Sequence, residues 1–382
     1  MAKPYVIGID MGGTNTAFGL VDARGNVIAS SSIKTAKHSD INDYIDELYE
    51  AITRILEENN AVGKVQGIGI GAPNSSYYTG MIEDTANLPW PCPIPLAQLI
   101  TDKFGIQCIV TNDANAAAIG EMTYGAARGM KDFIMITLGT GVGSGIVVNG
   151  QMVYGHDGFA GELGHVIMKR TNGRMCGCGR CGCLEAYCSA NGVARTAREF
   201  LEIRKEDSLL RSIPIDEITS KDVYDCAIQD DALAKEIFEY TGNILGEALA
   251  DFCTFSSPEA FILFGGLTKS GELIMKPVRE SYDRNILRNF KGKTKIILSE
   301  MKDADAAILG ASARGWEAKD LPPPPMILTY GAIFAWLHFF VYFCEKNKWV
   351  KYPSNHKKGR CKKSTSDDAM NVGTCLGHVY NA

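Results

Sequence analysis

A strand, a glycine turn and a hairpin follow one another twice in this chain, and few architectures accommodate both copies. The first copy is YVIGIDMGGTNTAFGLVDARGNVI, from Tyr5 to Ile28. After Thr14 the residues Thr16, Phe18 and Leu20 alternate with smaller ones, an Arg24-Gly25-Asn26 turn follows, and a further apolar stretch comes next. That period of two belongs to strands and not to a helix. The familiar phosphate-binding glycine loops run from a strand into a helix, whose N-terminus offers free N–H groups. Here the Gly12-Gly13 turn joins two strands instead. Glycines without a Cβ let backbone N–H groups close on an anion, and Asp10 at the strand's end is free to hold a metal or a water. The plainer alternative is a hairpin whose Asp and Gly only shape a turn.

The second copy is DFIMITLGTGVGSGIVVNGQMVYG, from Asp132 to Gly155. It repeats the plan with an apolar strand, a turn at Gly139, Thr140 and Gly141, a strand rich in Gly and Val, an Asn149-Gly150 turn and another strand. Two copies of one unit suggest two similar domains facing each other. A nucleotide held between them would have its phosphates gripped from both sides.

The 382 residues allow two domains, each with its own core. A hydrophobic content of 46% against 22% charged residues is that of a globular protein in water. The net charge of -5 gives no reason to expect nucleic acid or an anionic membrane as partner. No secretory signal is expected, since MAKPYVIGID leads straight into a strand. Outside an exported chain, a cluster such as Cys176, Cys178, Cys181, Cys183 and Cys188 reads as metal ligands sooner than as disulfides.

The remaining periodicities alternate helix and strand. Asp40 to Asn59 carries a helical stripe of Ile41, Tyr44, Ile45, Leu48, Ile52, Ile55 and Leu56. VQGIGIGAP reads as a buried strand, Ile109 to Thr111 as a short one, and Asn115 to Tyr124 as an Ala-rich helix. Further helices are expected at Ser189 to Arg204 and Asp231 to Phe255, then AFILFGG as a strand entering a Gly265-Gly266 turn. The class is α/β with mixed sheets.

Chemistry concentrates in two segments. GELGHVIMKRTNGRMCGCGRCGCLE, Gly161 to Glu185, offers His165 and four cysteines threaded with Gly, which suits a compact tetrahedral zinc site. With His165 as one ligand, three of Cys176, Cys178, Cys181 and Cys183 complete the set, and a full set leaves no open position for water. TNDANAAAIGE, Thr111 to Glu121, sets Asn112 and Asp113 where a strand meets a helix. Asp before such a helix is a standard N-cap; the same rigid mount near a phosphate would let it accept a proton from an attacking hydroxyl.

The D-x-G-G-T turn at Asp10 to Thr14, the N-D-A-N-A-A-A-x-G-E run, the G-T-G-x-G turn, the G-E-x-G-H and C-x-C-G-x-x-G-C-x-E segment and AAILGASA at Ala306 to Ala313 together resemble the ROK family of repressors, open reading frames and kinases. The resemblance covers residues 5 to about 316 and is strongest toward the sugar kinases of the family. It implies the two-domain actin-like (ribonuclease H-like) ATPase fold with mixed sheets and phosphate-binding hairpins. Residues 1–116, completed by about 300–318, would be the smaller domain; 117–299 would be the larger, with the zinc segment and a homodimer surface. Asp113 would be the catalytic base for the sugar's primary hydroxyl, with Asn112, Glu162, His165 and Glu185 on its other hydroxyls. His165 would serve zinc with one ring nitrogen and sugar with the other. Family spacing picks Cys176, Cys178 and Cys183 and leaves Cys181 over. Gly12, Gly13 and Thr14, with Gly139, Thr140 and Gly141, would cradle the phosphates of ATP, Asp10 would sit near magnesium, and Gly265 and Gly266 would lie by the adenosine.

The activity implied is ATP-dependent phosphorylation of a hexose, glucose first, in the cytoplasm; a fructokinase or N-acetylmannosamine kinase is the alternative. A sugar-responsive repressor would carry a DNA-binding domain ahead of the first strand, where only Met1 to Pro4 stand. Two features depart from the family. Asn74 follows Gly71-Ala72-Pro73, where the family commonly has Gly, in a loop that borders the sugar. From Leu321 to Ala382 the text is Pro-rich, then apolar, then basic. Met326 to Cys344 carries no formal charge and is about as long as the roughly 20 residues that cross a bilayer. Such a span would put its basic flank in the cytoplasm and the kinase on the other side, away from ATP. An appended tail, as from an altered reading frame, fits better than a membrane contact.

Overall fold

The computed structural model describes residues 3–83, 88–301 and 303–318, which lie within one compact unit. The tail and its apolar stretch 326–344 fall outside the described residues. Among those described, no helix is long and apolar enough to cross a membrane.

Each glycine-turn unit opens one five-stranded mixed sheet. The first contains β1 (Tyr5–Met11), β2 (Asn15–Asp22), β3 (Val27–Lys34), β4 (Val65–Gly71) and β5 (Cys108–Thr111), in the order β3-β2-β1-β4-β5. The second contains β6 (Phe133–Leu138), β7 (Val142–Val148), β8 (Gln151–Met152), β9 (Ala260–Phe264) and β10 (Lys295–Leu298), in the order β10-β9-β6-β7-β8. In both, a hairpin supplies the antiparallel half, and crossovers add the parallel strands: β4 beside β1, and β9 beside β6. The period-two reading of both glycine units is therefore observed. The Asn149-Gly150 turn has φ of 52° and 75°, the two left-handed residues of a tight type I′ hairpin.

The helices follow the apolar stripes. Helix α1 (Ile41–Glu58) buries Tyr44, Ile45, Leu48, Ile52, Ile55 and Leu56, and the Asp40 side chain caps it by accepting from the Asn42 N–H. Helix α2 (Leu96–Phe104) also packs on the first sheet, and α3 (Asp113–Tyr124) leads from it toward the second. The second sheet is followed by α4 (Glu185–Cys188), α5 (Ala190–Ile203), α6 (Ser220–Ala227), α7 (Ala232–Ser256) and α8 (Glu272–Asn285). The last helix, α9 (Asp303–Gly315), returns to lie on β1 and β4. Its approach is close: a Cβ on Gly8 would fall 2.1 Å from the Ile308 carbonyl oxygen. Only glycine lets the helix settle directly onto the strand.

One expectation about a helix end changes. The Ala-rich helix begins at Asp113 and not Asn115, because Asn112 is its cap: the Asn112 Oδ1 accepts from the Ala114 N–H at 2.9 Å. Asp113 is the first helical residue, and its own Oδ1 accepts from the same N–H at 2.7 Å.

Candidate active site

A cavity of about 410 Å³ opens where the carboxyl ends of the parallel strands of both sheets meet, the usual ligand position in an open α/β sheet. The loop after β4 contributes Asn74, the step from β5 into α3 contributes Asn112 and Asp113, and the β6–β7 turn contributes Gly139, Thr140 and Gly141. Glu162 and His165 enter from a short turn, Glu185 from the start of α4, and Gly265 from the end of β9. Asp10, Gly12, Gly13, Thr14 and Gly266 are not among the residues that line this cavity. Asp10 is nonetheless near enough for Asp113 to act on its charge.

The carboxylates are held under electrostatic load. Asp113 is open to the cleft, yet the protein packed around it pushes its carboxyl above the usual carboxylate range, against the lowering effect of the Ala114 N–H. Asp10 is pushed up to about 6, first by burial and then by the charge of Asp113. Burial also raises Glu162, opposed by His165 and assisted by Asp113 and Glu185. Groups so perturbed in one cleft are candidates for proton transfer or cation binding.

Glu185 is fixed by the second glycine turn. Its Oε2 accepts from the Val142 N–H at 3.0 Å, and a Cβ on Gly141 would stand 2.5 Å from that oxygen. Two further residues hold the site although sequence reasoning passed over them. The Thr137 Oγ1 accepts from the Gly143 N–H at 3.1 Å and stiffens the turn. The Ser144 hydroxyl donates to the Gly161 carbonyl and accepts from the Leu163 N–H at 3.1 Å, which pins the segment carrying Glu162. The only signal for either was a hydroxyl residue on a strand that borders a glycine turn.

The donor set for a metal is assembled beside the cavity. The ligand atoms of His165, Cys176, Cys178 and Cys183 all lie within 4.8 Å of one another. The Cys178 and Cys183 sulfurs are 3.7 Å apart, and the Cys176 sulfur is 3.7 Å from His165 Nδ1. A tetrahedron with Zn–S bonds of about 2.3 Å has edges of about 3.8 Å, so these residues fit zinc. Cys181 is exposed and turned away, its sulfur 4.0 Å from that of Met175. His165 presents its other nitrogen, Nε2, at 3.9 Å from Glu162 Oε2. Beneath this segment, buried Arg174 binds Glu199 at 2.6 Å and the Ala186 carbonyl at 3.1 Å, tying it to α4 and α5.

The glycine turns fit a polyphosphate. Each is closed by one short bond, Gly12 N–H to Asn15 O at 3.0 Å and Gly139 N–H to Gly141 O at 3.1 Å. The N–H groups of Gly13, Thr14, Thr140 and Gly141 make no hydrogen bond among the described residues. Backbone donors left free in a turn make a nest for an anion.

Two five-stranded mixed sheets that each carry a glycine turn, the second turn lining a cleft beside a carboxylate mounted on α3, fit a two-lobed phosphotransferase of the actin-like ATPase fold. The sequence model of the ROK family matches residues 6–314. A glucokinase of Halalkalibacterium halodurans is 33% identical over 330 residues, covering 84% of this chain and 96% of that protein. A glucokinase of Thermotoga maritima is 33% identical over 316 residues, 82% of this chain and 98% of its own. Among solved structures, a ROK family glucokinase from Streptomyces griseus in complex with glucose and AMPPNP aligns with a TM-score of 0.69 and 31% identity, over 82% of this chain and 99% of that one. The chain belongs to the ROK family.

Proposed function

We propose that this protein transfers the terminal phosphoryl group of ATP to the primary hydroxyl of a hexose, and that glucose is its substrate. The observation that carries the proposal is Asp113: a carboxylate of raised proton affinity, fixed on the first turn of α3 and open to a cleft that the second glycine turn also lines. The glucokinase relatives support glucose as the acceptor.

In this reading the hexose lies among Asn112, Glu162, His165 and Glu185, whose acceptors and donors match a ring of hydroxyls. Asp113 takes the proton of the primary hydroxyl as its oxygen bonds to phosphorus. The bond from that phosphorus to the bridging oxygen breaks, and the products are glucose 6-phosphate and ADP. The N–H groups of Gly13, Thr14, Thr140 and Gly141 orient the phosphates from both sheets, and Gly265 and Gly266 border the adenosine. Asp10 would hold magnesium, which would supply positive charge against the phosphates; a buried carboxyl pushed up to about 6 is a group that a cation would bring back to its ionised form. His165, Cys176, Cys178 and Cys183 would hold a structural zinc, and coordination through the Nδ1 that faces Cys176 would leave the Nε2–H of His165 to donate to a sugar hydroxyl.

We read residues 1–116 with 300–318 as one lobe and 117–299 as the other, the protein as a homodimer, and its place as the cytosol where ATP is supplied. A panel of hexoses incubated with ATP and magnesium, scored for ADP and for the sugar phosphate, tests the proposal. Glucose should be turned over most efficiently. Absence of phosphorylation across the panel would overturn the proposal.

A further inference from the structure

We propose that Asn74 is a substrate-positioning residue whose carboxamide donates a hydrogen bond to a secondary hydroxyl of the hexose, an inference that rests on the reading of this cavity as a hexose site. Asn74 lines the cavity together with Asp113, Glu162, His165 and Glu185. Its backbone stands at φ 48°, in the left-handed region. Glycine is free of strain there, and among residues with a longer side chain Asn is one of the few that tolerate it. The position bears a modest conformational cost relative to glycine and presents an amide to the cavity. Asn60, Asn149 and Asn172 also have positive φ, but none of them lines this cavity.

The backbone that carries the amide is held, and the amide itself is available. The Asn74 carbonyl accepts from the Glu83 N–H at 3.1 Å, and the Ser75 hydroxyl donates to the Ala72 carbonyl at 2.8 Å. Further along the loop Tyr77 stacks on Tyr154 with ring centroids 4.3 Å apart, and the Tyr78 hydroxyl donates to the Gly155 carbonyl at 2.9 Å. The loop is anchored at its own base and on the segment after β8. Among the described residues the Asn74 amide has no hydrogen-bond partner, whereas the Asn112 Oδ1 is committed to capping α3.

Chemistry says which role is scarce on a wall of carboxylates. Ionised Asp113, Glu162 and Glu185 only accept. A sugar hydroxyl that gives its proton to a carboxylate still has lone pairs that need a donor. His165 supplies one such donor through Nε2, Asn112 supplies N–H groups beside Asp113 while its oxygen caps α3, and Asn74 supplies two N–H groups from another part of the wall.

The test compares wild type with Asn74→Gly and Asn74→Asp for kcat, for KM of glucose and of ATP, and for Tm, and measures glucose binding by calorimetry. Asn74→Gly should keep or raise Tm, raise the KM and the dissociation constant for glucose by about 3- to 10-fold, the worth of one neutral hydrogen bond, and leave the KM for ATP unchanged. Asn74→Asp tolerates the same backbone but adds another acceptor, and should be worse than Asn74→Gly. In a series of monodeoxy glucoses, one analogue should bind wild type and Asn74→Gly alike, because it lacks the hydroxyl concerned. An unchanged glucose KM in Asn74→Gly, or an equal penalty on every deoxy sugar, overturns the inference while the kinase reading stands. A wild-type protein that binds no hexose overturns both.

Discussion

Asp10 at the end of β1 and Asp113 on the first turn of α3 stand in each other's electric field. Strand order builds the pair: Asp10 lies beside Gly71 of β4, and a Cβ on Gly71 would be 3.5 Å from the Asp113 Cα. Burial is the larger cause of the high proton affinity of Asp10, with the Asp113 charge second. The arrangement is unfavourable to two ionised carboxylates, and a bound cation or a proton would relieve it. Part of the fold's stability is given up at the place where the chemistry is proposed.

That cost has a definite dependence on pH. A carboxyl raised from 3.8 to about 6 binds more protons folded than unfolded within that interval. Stability from this group is therefore fully present below pH of about 4 and is lost as pH rises through about 6. Asp10→Asn removes the ionisation, so at pH 7.5 the nucleotide-free variant should be more stable than wild type by on the order of 2 kcal/mol. Denaturant unfolding at pH 7.5 and at pH 4.5 measures both ends, and the gain should shrink at the lower pH. A variant less stable than wild type at pH 7.5 would contradict the burial of a strained charge.

Local pattern made the hairpins and α1 legible, because a period of two or a buried stripe is written in consecutive residues. It failed where an element depends on a distant partner. Helix α8 contains Pro277 within its span, and that ring packs where a Cβ on Gly242 of α7 would fall 2.6 Å away. Strand β10 is short, and only its parallel pairing with β9 defines it. The same limit applies in the site. Spacing alone left four cysteines for three places, and the structure turns Cys181 out. Ser144 acts on Leu163 and Gly161 across a loop. Buried Arg314, with its guanidinium 5.0 Å from the Tyr77 ring centroid and bonded to the Tyr154 hydroxyl, joins three stretches that no local pattern connects.

The metal proposal separates two cysteines of one short segment. Cys178→Ser should lower zinc content and Tm together and raise the KM for glucose, because His165 and Glu185 lose their mount. Cys181→Ser should retain metal, stability and activity, since its sulfur faces Met175. Elemental analysis and thermal unfolding of both variants make the comparison. Equal metal loss from both would show that Cys181 is a ligand.

The contact between Gly141 and Glu185 predicts a graded loss. In Gly141→Ala the new methyl group meets the Glu185 carboxylate at 2.5 Å, so the carboxylate must leave its bond to the Val142 N–H. The KM for glucose should rise by about 10-fold or more, in keeping with the hydrogen bonds to a charged group that are disturbed, while metal content stays intact. Kinetics with glucose and zinc analysis on one preparation decide the matter. An unchanged KM would mean that Glu185 does not contact the sugar.

Asp113 can be tested for catalysis with little interference from helix capping, because Asn112 holds the cap. Asp113→Asn retains a side-chain oxygen that can accept from the Ala114 N–H, so the start of α3 should survive. What the variant loses is the capacity to take a proton. General-base assistance is worth about 10²- to 10⁴-fold, and the loss should appear in kcat, with glucose binding nearly kept. In wild type, kcat should fall on the acid side as Asp113 becomes protonated, at a pH above the usual carboxylate range because burial raises this carboxyl. Turnover at saturating glucose and ATP, glucose calorimetry and a pH profile of kcat supply the readouts. A variant that keeps more than about a tenth of wild-type turnover, well short of the loss expected for a missing base, would leave Asp113 as part of the helix start and nothing more.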